Sequence, residues 1–224
     1  MKVVVMISAN AEWKAVKEIF PSLVAAPSAY GDTAKLTLGG YELNLLHSGW
    51  GKIASAGAIQ YVIDHDRPGL IVNLGTCGGF DGVTELGDIL LVERTFIYDI
   101  VELIGDPDVL EHYASSLDLG WLAEPHPYPV RKGILASADS DLPPAKTAFL
   151  KSKGVLAADW ESAALAWVAQ KNNARLLILR AVSDMVSEEG GEAYDNIEIF
   201  HNRAKTIMKQ LVGQLPDWLD AVRL

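Results

Sequence analysis

Leu70-Ile71-Val72-Asn73-Leu74-Gly75-Thr76-Cys77-Gly78-Gly79 decides the architecture of this chain. Its first five residues are a short, almost continuous aliphatic run, too short for a core helix and bounded by glycines. Such a run has apolar side chains on both faces, so both faces must be covered, as they are for a strand inside an α/β sheet. No Lys-Ser or Lys-Thr follows the glycines, so this is not a phosphate-binding P-loop. Gly75 to Gly79 reads instead as a tight turn in which the backbone comes close to its neighbours.

Working outward, the same alternation recurs. Val3–Ile7 is another β-branched apolar run, and residues 11–20 follow at helical spacing (Trp13, Val16, Ile19, Phe20) until Pro21 stops them. Residues 35–38 and 42–46 flank Gly39-Gly40 as a hairpin, and 52–64 form a helix closed by Arg67-Pro68-Gly69. Further strands are expected at 88–93, 132–137, 155–158 and 175–182, with helices at 161–170 and 197–214. Between Ile100 and Pro129 the pattern dissolves around Asp106-Pro107, Glu124-Pro125, His126-Pro127 and Tyr128-Pro129, which suits a lid or an interface loop. The expectation is a single α/β domain over 1–224, with a mixed, mostly parallel twisted sheet flanked by helices.

Composition excludes several functions. The chain has 224 residues with 19 Lys and Arg against 29 Asp and Glu, a formal charge of −10. Binding a polyanion depends on clustered cations, so neither nucleic acid nor an anionic membrane is an expected partner. Cys77 is the single cysteine, which rules out an intrachain disulfide and suits a reducing compartment; the cytoplasm is expected. The first apolar run spans five residues, too few for a signal-peptide core, and nothing reaches the ~18 residues of a membrane span. The five histidines are scattered without metal-ligand spacing, so no metal and no cofactor are expected.

Ligands of open α/β sheets sit beyond the carboxyl ends of the strands. Here those ends lead into Ser8-Ala9-Asn10-Ala11-Glu12, Gly75-Thr76-Cys77-Gly78-Gly79, Asp159-Trp160-Glu161 and Arg180-Ala181-Val182-Ser183-Asp184. Glu12, Glu161 and Asp184 can therefore converge on one cleft. Read singly, each also fits a structural role. Glu12 would complement a helix dipole, Asp159 would cap a helix with Glu161 in solvent, and Asp184 would cap a strand end. Cys77 has no histidine beside it and reads as a small packing residue rather than a nucleophile. His201-Asn202-Arg203 reads as a surface face of the last helix.

Taken in order, Ala9-Asn10-Ala11-Glu12, Ser48-Gly49-Trp50-Gly51-Lys52, Asn73 to Gly79, Gly87-Asp88-Ile89, Trp160-Glu161-Ser162-Ala163-Ala164 and Arg180 to Asp184 resemble the nucleoside phosphorylase superfamily. Within it, the chain is most similar to the methylthioadenosine/S-adenosylhomocysteine nucleosidases. The resemblance implies hydrolysis of the N-glycosidic bond of a purine nucleoside, by a homodimer in which the neighbour's loop closes the site. It implies Asp184 as the acid that protonates the purine, Glu161 as acceptor of ribose hydroxyls and Glu12 as the base for water. Ser8, Trp50, Thr76, Cys77, Gly78, Trp160, Ser183 and Arg180 would contact substrate, with Arg180 orienting water or a carboxylate. A phosphate-dependent phosphorylase and a catalytically silent nucleoside binder are the alternatives. The stretch Ser8 to Trp13 offers Glu12 and no arginine, which favours water as nucleophile.

The chain departs from the family pattern at three places. Trp160 stands where a methionine usually precedes the glutamate, Trp50 replaces a small aliphatic residue near the sugar's 5′ side, and Ser140-Asp141 replace an aromatic residue that packs on the purine. Methylthioadenosine is thus the family default, and adenosine derivatives with another 5′ group remain open.

Overall fold

The computed structural model describes residues 1–105, 108–187, 190–193 and 196–223, so Asp106 and Pro107 of the proline-rich stretch lie outside the described residues. The elements run β1 (Val3–Ile7), α1 (Asn10–Ile19), β2 (Ala25–Ser28), β3 (Gly31–Leu38), β4 (Tyr41–His47), α2 (Gly51–Asp66), β5 (Leu70–Phe80) and β6 (Ile89–Ile97). They continue with α3 (Val109–His112), β7 (Ser115–Ser116), β8 (Arg131–Ser137), α4 (Pro144–Ser152), β9 (Val155–Asp159), α5 (Ser162–Lys171), β10 (Leu176–Ser187), β11 (Gly190–Gly191) and α6 (Ile197–Asp220).

These strands join one mixed sheet whose centre is β5. β5 pairs parallel with β1 and β10 and antiparallel with β9, while β10 turns back antiparallel onto β6. Because β6, β8 and β9 are joined by parallel ladders, β5–β10–β6–β8–β9 closes into a ring. From β5 the sheet also extends outward as a wing through β1, β4, β3 and β2. The parallel ladders carry the interior, and the antiparallel ones make the hairpins and close the ring.

Alternation along β1 divides the core. Val3, Val5 and Ile7 face a layer containing Trp13 and Val16 of α1 with Met208, Leu211 and Leu215 of α6, whereas Val4 and Met6 face Ala58, Ile59 and Val62 of α2 with Leu165 and Val168 of α5. A period of two places successive side chains on opposite faces, and two helix layers cover them.

The expected turn at Gly75–Gly79 is not one. β5 stays extended through these glycines to Phe80, with Gly75 opposite Arg180, and Gly78 and Gly79 opposite Ala158 and Ala157. What the glycines provide is close approach. A Cβ on Gly75 would land on the Arg180 guanidinium and lie 2.8 Å from Glu12 Oε1, and one on Gly79 would lie 2.7 Å from Val182 Cγ1. Glycine thus lets β10 and the start of α1 pack closely against β5.

Other boundaries also differ. β6 and β10 are longer than expected, and α6 runs through Pro216 to Asp220. The turn beyond Pro216 buries Trp218 and Leu219, which offsets the ~3 kcal/mol that an interior proline costs a helix. β2 and α4 carry almost no apolar signal. β2 is an exposed edge strand containing Pro27, and α4 buries only Thr147 and Leu150. Within 100–129 the described residues form α3, β7 and a single antiparallel bridge from Leu122 to Val222, besides turns and loops. No helix among the described residues is long and apolar enough to cross a membrane.

Candidate active site

At the carboxyl ends of β5, β9 and β10 lies a cavity of about 620 Å³, also lined by the starts of α1, α2 and α6. Glu12, Trp50, Thr76, Cys77, Gly78, Trp160, Glu161, Ser183 and Asp184 all line it. Ser8 and Arg180 do not. The Ser8 hydroxyl lies 3.3 Å from Ser48 Oγ in the protein interior, and Arg180 is completely buried behind the lining.

Glu12 does more than complement a dipole. One carboxylate oxygen accepts the Ala9 N–H at 3.1 Å, closing the first turn of α1 as a capping box does. The other accepts the Thr76 N–H at 2.6 Å and the Thr76 hydroxyl at 2.9 Å. The helix start is thereby tied to β5, and a carboxylate that is 1% exposed is held at the cavity wall. Beneath it, one cation faces three anions. Arg180 Nη2 lies 3.0 Å from Asp159 Oδ2 and 3.6 Å from Glu161 Oε2, and Nη1 lies 3.9 Å from Glu12 Oε1. Burial opposes the Arg180 charge, but Asp159, Glu12 and Glu161 outweigh it and hold its pKa above the ordinary value.

The N-cap of α5 is Glu161 rather than Asp159, yet Asp159 still ties down the helix start, accepting the Ser162 N–H and hydroxyl along with the Ser137 hydroxyl. The reading of Glu161 as a solvated side chain is overturned. It is 6% exposed and accepts the Gly51 N–H at 3.0 Å, so β9 and α2 meet on its carboxylate. Burial, opposed by Arg180 and reinforced by the Asp159 charge, pushes its pKa from 4.5 up to about 8. The folded chain therefore holds a proton between those values that the unfolded chain has released, and stability falls as pH rises through the same window. Glutamine mimics the protonated form, so Glu161→Gln should remove that slope and melt above the parent at pH values beyond 8, as read by thermal unfolding. Parallel Tm–pH curves for the two proteins would contradict this assignment.

Asp184 is not a strand cap. β10 continues past it, with a bulge between Val182 and Asp184 that sets Asp184 opposite Gly78. A bulge re-aims the side chains beside it, and here Asp184 lines the cavity. Its carboxyl lies 3.0 Å from Ser183 Oγ. Burial raises its pKa, with Ser183 and Arg203 opposing and the Glu192 and Asp141 charges adding. On the expected surface face of α6, His201 and Asn202 are exposed, and the half-buried Arg203 donates to the Ser183 carbonyl at 3.0 Å and to Glu192 at 2.9 Å. Cys77 is buried, and burial with the Asp159 charge holds its thiol well above the ordinary range, in keeping with a packing residue.

Trp50 and Trp160 are not core aromatics. They meet edge to face at the cavity, ring centroids 6.5 Å apart and 70° between planes. Ser140 and Asp141 also line the cavity, while Tyr98 and Phe200 supply aromatic walls that sequence reasoning missed. Phe200 lies on a helix face that also feeds the core, where its apolar spacing is indistinguishable from packing.

The pattern that describes the phosphorylase superfamily matches residues 4–215, and the chain belongs to that superfamily. Among curated relatives it is similar to the 5′-methylthioadenosine/S-adenosylhomocysteine nucleosidase of Anoxybacillus flavithermus, 28% identical over 71% of this chain and 75% of that protein. The nucleosidase of the same name from Bacillus licheniformis is 29% identical over 70% and 74%. Among solved structures, the Neisseria meningitidis nucleosidase bound to methylthio-immucillin-A superposes with a TM-score of 0.79 at 21% identity, covering 99% of this chain and 100% of that one. The Streptococcus pyogenes S-adenosylhomocysteine nucleosidase gives 0.78 at 20% identity, with 100% and 98% covered.

Proposed function

We propose that this chain hydrolyses the N-glycosidic bond of a purine nucleoside and releases free base, acting on 5′-methylthioadenosine, S-adenosylhomocysteine or a related adenosine derivative. The names of its relatives support this reading. The observation that carries it is the charge of the cavity. Glu12, Asp141, Asp159, Glu161 and Asp184 line it, and no lysine or arginine does among the described residues. Arg180, the cation behind the wall, is already engaged by three carboxylates. Such a surface offers phosphate no cation to hold it, and its carboxylates can stabilise a developing sugar cation, so water is the nucleophile.

The roles follow from placement. As the C1′–N9 bond breaks, its electron pair passes into the purine, and N7 takes a proton from Asp184, whose carboxyl burial biases toward the acid form. Ribose hydroxyls donate to Glu161, which favours its ionised form and places negative charge beside the cation. Water adds to C1′ and gives its proton to Glu12, whose oxygens are fixed by Ala9 and Thr76. Ser183 positions Asp184, and Thr76, Cys77 and Gly78 form the wall. Ser8 and Arg180 support that wall from behind, Arg180 by orienting carboxylates.

A homodimer and a cytoplasmic setting complete the proposal. The dimer is supported by Val101, Leu103 and Ile104, which are 68%, 91% and 99% exposed in the loop after β6; the setting is supported by the unpaired Cys77 thiol. A panel of purine nucleosides incubated in phosphate-free buffer tests the activity. The expected outcome is free adenine from 5′-methylthioadenosine and S-adenosylhomocysteine, at a rate that added phosphate leaves unchanged. Base release that depends on phosphate would replace this reading with phosphorolysis.

A further inference from the structure

We propose that Lys52 is a positioning residue for the nucleoside cavity, a cation outside the wall that clamps three lining segments together; this rests on the nucleosidase reading above. Its place follows from the motif Ser48-Gly49-Trp50-Gly51-Lys52, in which the lysine falls on the first turn of α2. Gly51 opens that helix at a φ of +83°, a left-handed conformation that suits glycine, and a Cβ there would lie 2.7 Å from Asp139 Oδ1. The Lys52 N–H reaches the same oxygen and donates to it at 2.7 Å. The Lys52 side chain turns back to this carboxylate as well. Its Nζ lies 2.9 Å from Asp139 Oδ2 and 2.6 Å from Asp99 Oδ2. The Asp139 N–H closes the circuit by donating to Asp99 Oδ2 at 2.9 Å. One ammonium thus neutralises two carboxylates that arrive just beyond the ends of β6 and β8.

Each partner in this cluster adjoins residues that line the cavity. Tyr98 precedes Asp99, Ser140 to Leu142 follow Asp139, and Trp50 stands two before Lys52. Gly51, between Trp50 and Lys52, donates to Glu161 Oε1 at 3.0 Å. Lys52 does not itself line the cavity, so it acts through these neighbours. Its side chain is 16% exposed, against 30% and 43% for Asp99 and Asp139. An isolated ion pair at such exposure contributes little, whereas a network in which two carboxylates share one cation and two backbone donors holds its geometry. Without the ammonium the two carboxylates repel, and the loops after β6 and β8 are no longer held to the start of α2. Glu12 and Asp184 stand on α1 and β10, outside the clamp, so the chemical step should persist while binding weakens. Ordering three wall segments at the moment of binding, rather than in advance, should lower affinity about tenfold.

The test compares Lys52→Gln and Lys52→Arg with the parent by two readouts. One is the kinetics of 5′-methylthioadenosine hydrolysis. The other is calorimetric titration with the 7-deaza analogue of that nucleoside, which has no N7 to protonate and so is not consumed. In Lys52→Gln, KM and the analogue's Kd should both rise about tenfold, with kcat within about twofold of the parent. Lys52→Arg keeps the charge and should recover at least part of both losses. An unchanged KM and Kd in Lys52→Gln, or a loss carried by kcat alone, overturns the proposal and leaves the hydrolase reading intact. So does an arginine variant that melts like the parent yet binds no better than Lys52→Gln, because charge would then not be the cause. Should Lys52→Gln fail to fold, Asp99→Asn replaces it: removing one of the two ion pairs should raise KM and Kd by a smaller factor, and no rise overturns the proposal. A parent that releases no base removes the hydrolase reading, and the titrations then decide the clamp alone. A parent that neither releases base nor binds the analogue removes both.

Discussion

Asp184→Asn lowers kcat by at least about 100-fold, with KM for the nucleoside little changed. Asparagine keeps the size of a protonated aspartate and can still bond Ser183, 3.0 Å away, so the fold and the nucleoside-binding surface persist. What it cannot do is release a proton to the departing purine. The pH profile carries the same signature. Burial raises the Asp184 pKa, so the parent should lose activity on the alkaline side, as pH rises through that value and the acid form disappears. The residual rate of the variant should lack this limb. Full activity in Asp184→Asn, or an unchanged alkaline limb, would remove this residue from proton transfer.

The second large effect is on stability. Arg180→Met removes the cation that faces Glu12, Asp159 and Glu161 from inside the protein. Breaking a buried ion pair from one side typically costs about 3–5 kcal/mol, because the remaining charge has no solvent. For a chain of this size that is a fall in Tm on the order of 10 °C. The sign of the pH dependence is fixed by what is left. Without the guanidinium Glu161 keeps the cost of its burial and loses the charge that opposes it, so it binds its proton still more tightly when folded and the variant regains stability as pH falls. The deficit relative to the parent should be larger at about pH 9, where Glu161 is ionised in the parent, than near pH 5. A deficit that is small, or equal at both pH values, would mean that Arg180 serves packing rather than charge balance.

Much of the frame was legible because it obeys simple periods. β1, α1, the β3–β4 hairpin, α2 and the first half of β5 follow from apolar alternation, helical spacing and punctuation by glycine and proline. The second half of β5 was not, because a strand made of glycines has no side chains to show a period and resembles a turn. Only the closure of the ring explains it. α4 and the last turn of α6 escaped for opposite reasons, one burying too little and the other burying enough to override Pro216.

The candidate site was legible in combination and ambiguous residue by residue. Glu12 closes a helix turn and also lines the cavity, so its structural and functional readings hold together. Glu161 and Asp159 lie two apart and both line the cavity, yet Glu161 accepts the Gly51 N–H at the start of α2 while Asp159 accepts the Ser162 N–H at the start of α5; that division depends on Gly51, 110 residues away from Glu161. Arg180 and Ser8 border the motifs that line the cavity, but their side chains enter the interior, a direction that the spacing alone does not reveal. Trp50 and Trp160 stood out as departures, and their contact across the cavity shows that they depart together.

The most direct test of hydrolysis follows the oxygen. Turnover of 5′-methylthioadenosine in ¹⁸O-labelled water, with phosphate present, should yield free adenine and a sugar carrying one heavy oxygen, seen as a two-unit mass increase over the product from ordinary water. An unlabelled sugar phosphate as the product would contradict the account.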